Sequence, residues 1–161
     1  MSTAAATNRR FLSLSFFLLI CYAAWAAGGS SRYPNVAAWY NHLHKPDWTP
    51  SHELFASIWM SFYGTMAIAA WLVWERLHGG AFPALKLFSY QLGLNVLWFI
   101  LFFALRSPDA AAAEIVVLWL LSAATAIAFF KIHRLAGILL IPYCAGITFA
   151  TVLNLSISQN N

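Results

Sequence analysis

The chain has 161 residues, 61% of them apolar and only 9% charged, against roughly 25% charged in an ordinary soluble domain. So little charge cannot cover a water-facing surface. The formal net charge of +4 comes from nine scattered Lys/Arg against five Asp/Glu, and with no basic stripe among them it excludes a nucleic-acid-binding protein.

Five apolar stretches meet or approach the roughly 20 helical residues that cross a bilayer: residues 11–27, 54–74, 85–105, 111–130 and 135–157. They are continuous runs without alternation, which makes them helices and not barrel strands. The expected fold is therefore an all-α integral membrane bundle of five helices, one domain over residues 1–161. Charge, Gly or Pro marks each break: Gly28-Gly29, Glu75-Arg76 with Gly79-Gly80 and Pro83, Arg106 to Asp109, and Lys131 to Arg134. Arg9-Arg10 before the first apolar run has the look of an export signal. The remainder would still be a membrane protein, so a retained helix is the preferred reading. Cys21 and Cys144 lie inside apolar stretches and are expected to pack as small hydrophobes.

With five spans, one side carries Arg9, Arg10, Arg76, Lys86, Lys131 and Arg134, and the other only Arg32, Lys45 and Arg106. That bias predicts a cytoplasmic N-terminus and an outward C-terminus. It also puts the one long connection, residues 28–53, on the outward side. Within it, Trp39 and Leu43 are four apart and would share a face of a short helix ending before Pro46. A long loop in a small bundle is a lid or binding element; an interfacial helix anchored by Trp and Tyr explains the composition equally well. His42, His44 and His52 crowd the same segment, but with no Cys and only Asp47 and Glu53 nearby, surface histidines are favoured over a metal site.

Three collinear blocks carry a family resemblance. The first is Trp39-Tyr40, Leu43, Lys45-Pro46, Trp48 and Pro50, followed by Phe55, Trp59, Tyr63 and Met66. The second runs from Gln91-Leu92 through Asn95 and Trp98 to Phe102-Phe103, and the third joins Pro142-Tyr143 to Phe149-Ala150-Thr151, Leu153 and Asn154. In order and spacing these resemble the TspO/MBR family of tryptophan-rich sensory and translocator proteins. The resemblance implies a five-helix bundle, often a homodimer, in a membrane that is bacterial here. It also implies a pocket beneath the first loop for porphyrins and other tetrapyrroles, with protoporphyrin IX or a haem-type relative as ligand and no required cofactor.

Residue chemistry is compatible with that implication. Phe55, Trp59, Phe62, Tyr63 and Met66 repeat at three and four, as do Gln91, Asn95 and Trp98, which gives aromatic walls for a flat disc and a few polar groups for its rim. Gln and Asn inside a span should face the bundle interior. Such stripes also serve as plain packing faces. The resemblance tips Tyr40, Trp59 and Asn95 toward ligand contact and leaves Trp39, Trp48, Phe55, Tyr63, Gln91, Trp98, Tyr143 and Gly146 open between the two roles.

One position departs from the family pattern: Gly146 stands where members usually carry a Trp, which lines the pocket and is implicated in light-dependent porphyrin breakdown. Gly supplies no ring, so the expectation is an enlarged pocket, a Trp59 without its partner, and weak or absent breakdown. The end of the fifth span, Leu153 to Gln159, has no Tyr, Lys or Arg for a cholesterol motif. A tetrapyrrole-binding receptor or sensor is thus the leading reading. A porphyrin transporter is weaker, because the spans hold no paired ionisable residues and Glu114 suits a helix dipole. An enzyme lacks a nucleophile–base pair, a metal cage or a phosphate loop, and a ligand-free structural subunit stays open. Ser122, Ala123, Ala126 and Gly93 are the small residues that would allow close helix contact in a homodimer.

Overall fold

The computed structural model of the protein describes residues 3–28, 35–76 and 81–161. Arg32, Tyr33 and Pro34 of the long loop and the Gly79-Gly80 turn lie outside the described residues. The elements are α1 (Thr3–Gly28), α2 (Val36–His42), α3 (His52–Trp74), α4 (Ala81–Phe99) continuing into a π-helical turn (Ile100–Ala104), α5 (Pro108–Ile132) and α6 (Arg134–Asn160). Five of these helices are long and apolar enough to cross a membrane. No strand occurs among the described residues.

Capping carries the helices past their apolar runs. Ser51 accepts a hydrogen bond from the Leu54 amide at 3.3 Å, which starts α3 at His52. Ser107 does the same for Ala110 at 3.4 Å, and Pro108 at the first position gives up only an amide that would be unpaired anyway. Arg106, with φ of 52°, turns the chain from α4 into α5. A single extended residue, His133, separates α5 from α6. In the long loop α2 stops at His42, so His44 is not on a helix and shares no helical face with His42.

The solvent is inverted, as a bilayer requires. Leu12, Leu19, Phe82, Leu120 and Ile141 stand exposed, while Gln91, Asn95, Ser122, Thr125 and Asn154 are buried. At one end Arg10 Nε meets Glu75 Oε2 at 2.7 Å and ties α1 to α3. Ser122 is buried and its hydroxyl donates to Leu118 O, so it belongs to the interior and offers no dimer surface. Glu114 corrects another expectation. Asp109 occupies the first turn of α5, whereas the Glu114 carboxylate is buried further along, with neither oxygen hydrogen-bonded.

Two asparagines join the helices. The Tyr63 hydroxyl of α3 donates to Asn95 Oδ1 on α4, and Asn95 Nδ2 donates to the Tyr143 hydroxyl of α6 at 2.7 Å. All three residues are fully or almost fully buried. One amide thereby satisfies two buried phenols and holds three helices in register, because each polar group would otherwise face hydrocarbon without a partner. Nearer the loop, Trp98 Nε1 donates to Asn154 Oδ1 at 2.9 Å, and Asn154 Nδ2 donates to Pro108 O at 2.8 Å, joining α4, α6 and the start of α5. Asn95→Leu leaves both hydroxyls without the amide and is expected to cost about 1–3 kcal/mol of stability. Thermal unfolding in detergent would show a lowered Tm; an unchanged Tm would contradict the bridging role.

Candidate ligand-binding site

The asparagine bridges fix a floor on which aromatic rings gather. The decisive local feature is the π turn at Ile100–Ala104, where Leu105 N bonds to Ile100 O at 2.9 Å. A π turn adds a residue to the helical repeat. Trp98 and Phe99 at the end of α4, and Phe102 and Phe103 four residues after them, are all buried. Their rings stack in pairs, Trp98 on Phe102 at 5.3 Å and Phe99 on Phe103 at 6.0 Å.

Beneath the loop Trp98, Phe102 and Phe103 wall a cavity of about 30 Å³, shared with Tyr40, Phe55 and Asn154. The far wall is one face of α6, with Ala150, Leu153 and Ile157 beside Asn154, and the loop adds Thr49, Pro50 and His52. Pockets for drug-sized ligands measure roughly 300–1,000 Å³, so this cavity is far smaller than such a ligand. Its roof is aromatic as well. Trp39 meets Phe102 edge-on at 5.7 Å, and Tyr40 reaches Phe102 and Phe103. Burial pushes the Tyr40 phenol above its ordinary range, and like any phenol it is protonated and able to donate at neutral pH. The Lys45 ammonium lies 4.4 Å from the Tyr40 ring centroid and donates to the Tyr40 carbonyl.

The loop is fastened to the end of α6. His44 N donates to Asn161 Oδ1 at 2.9 Å, and Asn161 Nδ2 returns a bond to His44 O at 3.2 Å. Trp48 adds an edge contact on Phe149 at 5.5 Å. Among the described residues no group of three His, Cys, Asp or Glu is placed to hold a metal ion.

The sequence profile of the TspO/MBR family matches residues 15–159. The chain belongs to this family. With five helices long and apolar enough to span a membrane, it is an integral membrane protein. It is 35% identical to the tryptophan-rich protein TspO of Chlorobaculum tepidum, covering 96% of this chain and 99% of that one. It is 38% identical to a tryptophan-rich sensory protein of Cereibacter sphaeroides, over 90% and 89% of the two chains. With the human translocator protein it shares 35% identity over 76% of this chain and 75% of that protein.

The residues singled out from the sequence fall in three layers of this TspO-family bundle. Tyr40, Phe55 and Trp98 line the cavity, and Trp39 and Trp48 belong to the roof and its fastening. Trp59, Tyr63, Asn95 and Tyr143 lie deeper, joined through the Asn95 bridge and the 6.1 Å contact of Trp59 on Tyr143. Gln91 is fully buried, one turn beyond Asn95, and its amide makes no hydrogen bond.

Gly146 requires a correction. A Cβ built there would sit 2.3 Å from Phe62 Cε2, so the Phe62 ring already rests on the glycine backbone. The absent side chain leaves no enlarged pocket. Trp59 has no indole facing it from that position and packs instead among Phe55, Phe62, Phe99 and Tyr143 at 5.5–6.2 Å. The sequence reading also omitted Phe102, Phe103 and Asn154 from the site. Asn154 carried a usable signal, a second Asn within an apolar span, and Phe102 carried another, since it lies four residues after Trp98 on the Gln91 and Asn95 face.

Asn161→Ala removes the side-chain bonds to the His44 backbone and the contact with its ring, each bond worth about 0.5–1.5 kcal/mol net. Backbone hydrogen exchange over residues 43–50 is expected to speed up several-fold, with α4 unchanged. Equal rates in both proteins would show that the loop is held by other contacts.

Proposed function

We propose that this TspO-family protein is a membrane receptor that binds a tetrapyrrole, protoporphyrin IX or a haem-type relative, in the cavity beneath the first loop. The observation that carries this reading is the aromatic cage of Phe55, Trp98, Phe102 and Phe103 under Tyr40. Flat apolar rings suit a flat apolar macrocycle, and the neutral Tyr40 hydroxyl and the Lys45 ammonium suit its carboxylates. A closed cavity of about 30 Å³ requires the loop to lift before such a ligand enters. In this account Trp59, Asn95 and Tyr143 are the floor against which the ligand rests, more than groups that bond to its rim.

We place the basic end, with Arg9, Arg10, Arg76, Lys86, Lys131 and Arg134, in the cytoplasm of a bacterial cell and the cavity at the outward end. A homodimer in this account meets through lipid-facing surfaces, because Ser122 points inward. Light-driven breakdown of a bound porphyrin is expected to be slow. Phe62, not an indole, covers Gly146, and a phenyl ring is a poor electron donor.

Titrating the protein in detergent with protoporphyrin IX, while following Trp fluorescence, tests the reading. Saturable quenching is expected, and Phe102→Ala should weaken affinity about fivefold through loss of ring contacts. Illumination of the complex should leave the porphyrin spectrum close to that of a protein-free control. Absence of saturable quenching would overturn the proposal.

A further inference from the structure

Away from the loop, at the opposite end of the bundle, two cavities adjoin. One of about 460 Å³ is bounded by Arg9, Ser13, Phe16, Phe17 and Trp74, and a second of about 450 Å³ lies between α1 and α4. Phe16, Phe17 and Trp74 border both, so together they form one groove down the side of the molecule. Its lower wall is apolar, with Phe88, Leu92 and Gly93. Along α4 it extends from Leu85 to Val96, roughly 16 Å of helix. That matches half of the roughly 30 Å hydrocarbon thickness, the depth of a single leaflet.

The mouth of the groove is charged. Arg10 is taken up by Glu75 at 2.7 Å, whereas Arg9 at the same mouth has no ion pair or hydrogen bond among the described residues. Arg76 and Lys86 stand exposed at this end, and Glu75, the nearby acid, is already neutralised by Arg10. An unpaired guanidinium above an apolar channel one leaflet deep has the chemistry of a phosphate held over an acyl chain. Deeper in the groove the space beside Gly93 is open, since a Cβ there would meet nothing within 4 Å.

We propose that this α1–α3–α4 groove is a binding site for an anionic phospholipid, with the phosphate on Arg9 and one acyl chain along Phe17, Phe88 and Leu92. The site is independent of the cavity beneath the loop. Arg9 sets the preference for an anionic headgroup, and the apolar channel accepts the chain of any phospholipid. Native mass spectrometry of the full-length protein with phosphatidylglycerol and phosphatidylcholine at equal concentration distinguishes these contributions. Phosphatidylglycerol should be retained preferentially, Arg9→Gln should reduce that preference about fivefold, and Arg9→Lys should keep it. Gly93→Leu, whose Cβ meets nothing within 4 Å, should reduce retention of both lipids. Equal retention of the two lipids by the unaltered protein, or a preference untouched by Arg9→Gln, would overturn the proposal. So would a change of oligomeric state in Gly93→Leu with lipid retention unchanged, which would assign the groove to a second copy of the chain.

Discussion

A single side-chain amide organises the centre of this protein. In hydrocarbon no water completes a hydrogen bond, so Tyr63, Asn95 and Tyr143 must complete one another's, and they do so across α3, α4 and α6. Apolar side chains slide against lipid and against each other with little preference for register. A buried amide with a phenol on each face has one arrangement that satisfies it. The position of the Trp59 ring and the height of the cavity floor follow from that arrangement, since Trp59 packs directly on Tyr143. Asn154 repeats the device nearer the loop, where it fixes Trp98 and the start of α5.

Above this rigid floor the contacts change in kind. The loop is held by ring edges, by Lys45 over Tyr40 and by the reciprocal bonds of His44 and Asn161. The bonds between His44 and Asn161 are exposed, individually weak and exchangeable with water. In the proposed reading a stiff bundle under a loosely fastened roof divides the work: the floor keeps its shape while access depends on the loop. That reading takes the small cavity as one position of the roof.

Much of this was legible in the sequence. Hydropathy placed five spans because the bilayer imposes a length that no local detail can evade, and the intramembrane Gln91 and Asn95 pointed inward because their burial toward lipid is prohibitive. Helix ends were legible only in part. Capping by Ser51 and Ser107 lengthened α3 and α5 beyond their apolar runs. Three features were not legible. The π turn at Ile100–Ala104 depends on how α4 packs and left no local trace, although Phe102 continues the spacing of Gln91, Asn95 and Trp98. The consequence of Gly146 depended on Phe62, a residue 84 positions away in the chain (146 less 62). A missing side chain reads as a hole until the neighbour that fills it is known. The bond between His44 and Asn161 joins residues 117 apart and leaves no local trace.

The central claim is that a roof moves over a floor that does not. Spin labels at exposed Asn41 in the loop and exposed Gln159 on α6, with Cys21 and Cys144 replaced by Ser, report their separation by double electron–electron resonance. The account predicts that saturating protoporphyrin IX lengthens and broadens the Asn41–Gln159 distance, while a control pair at exposed Met60 and Leu97 on α3 and α4 keeps its distance. An unchanged loop distance with ligand bound, or an equal shift in the control pair, would contradict it.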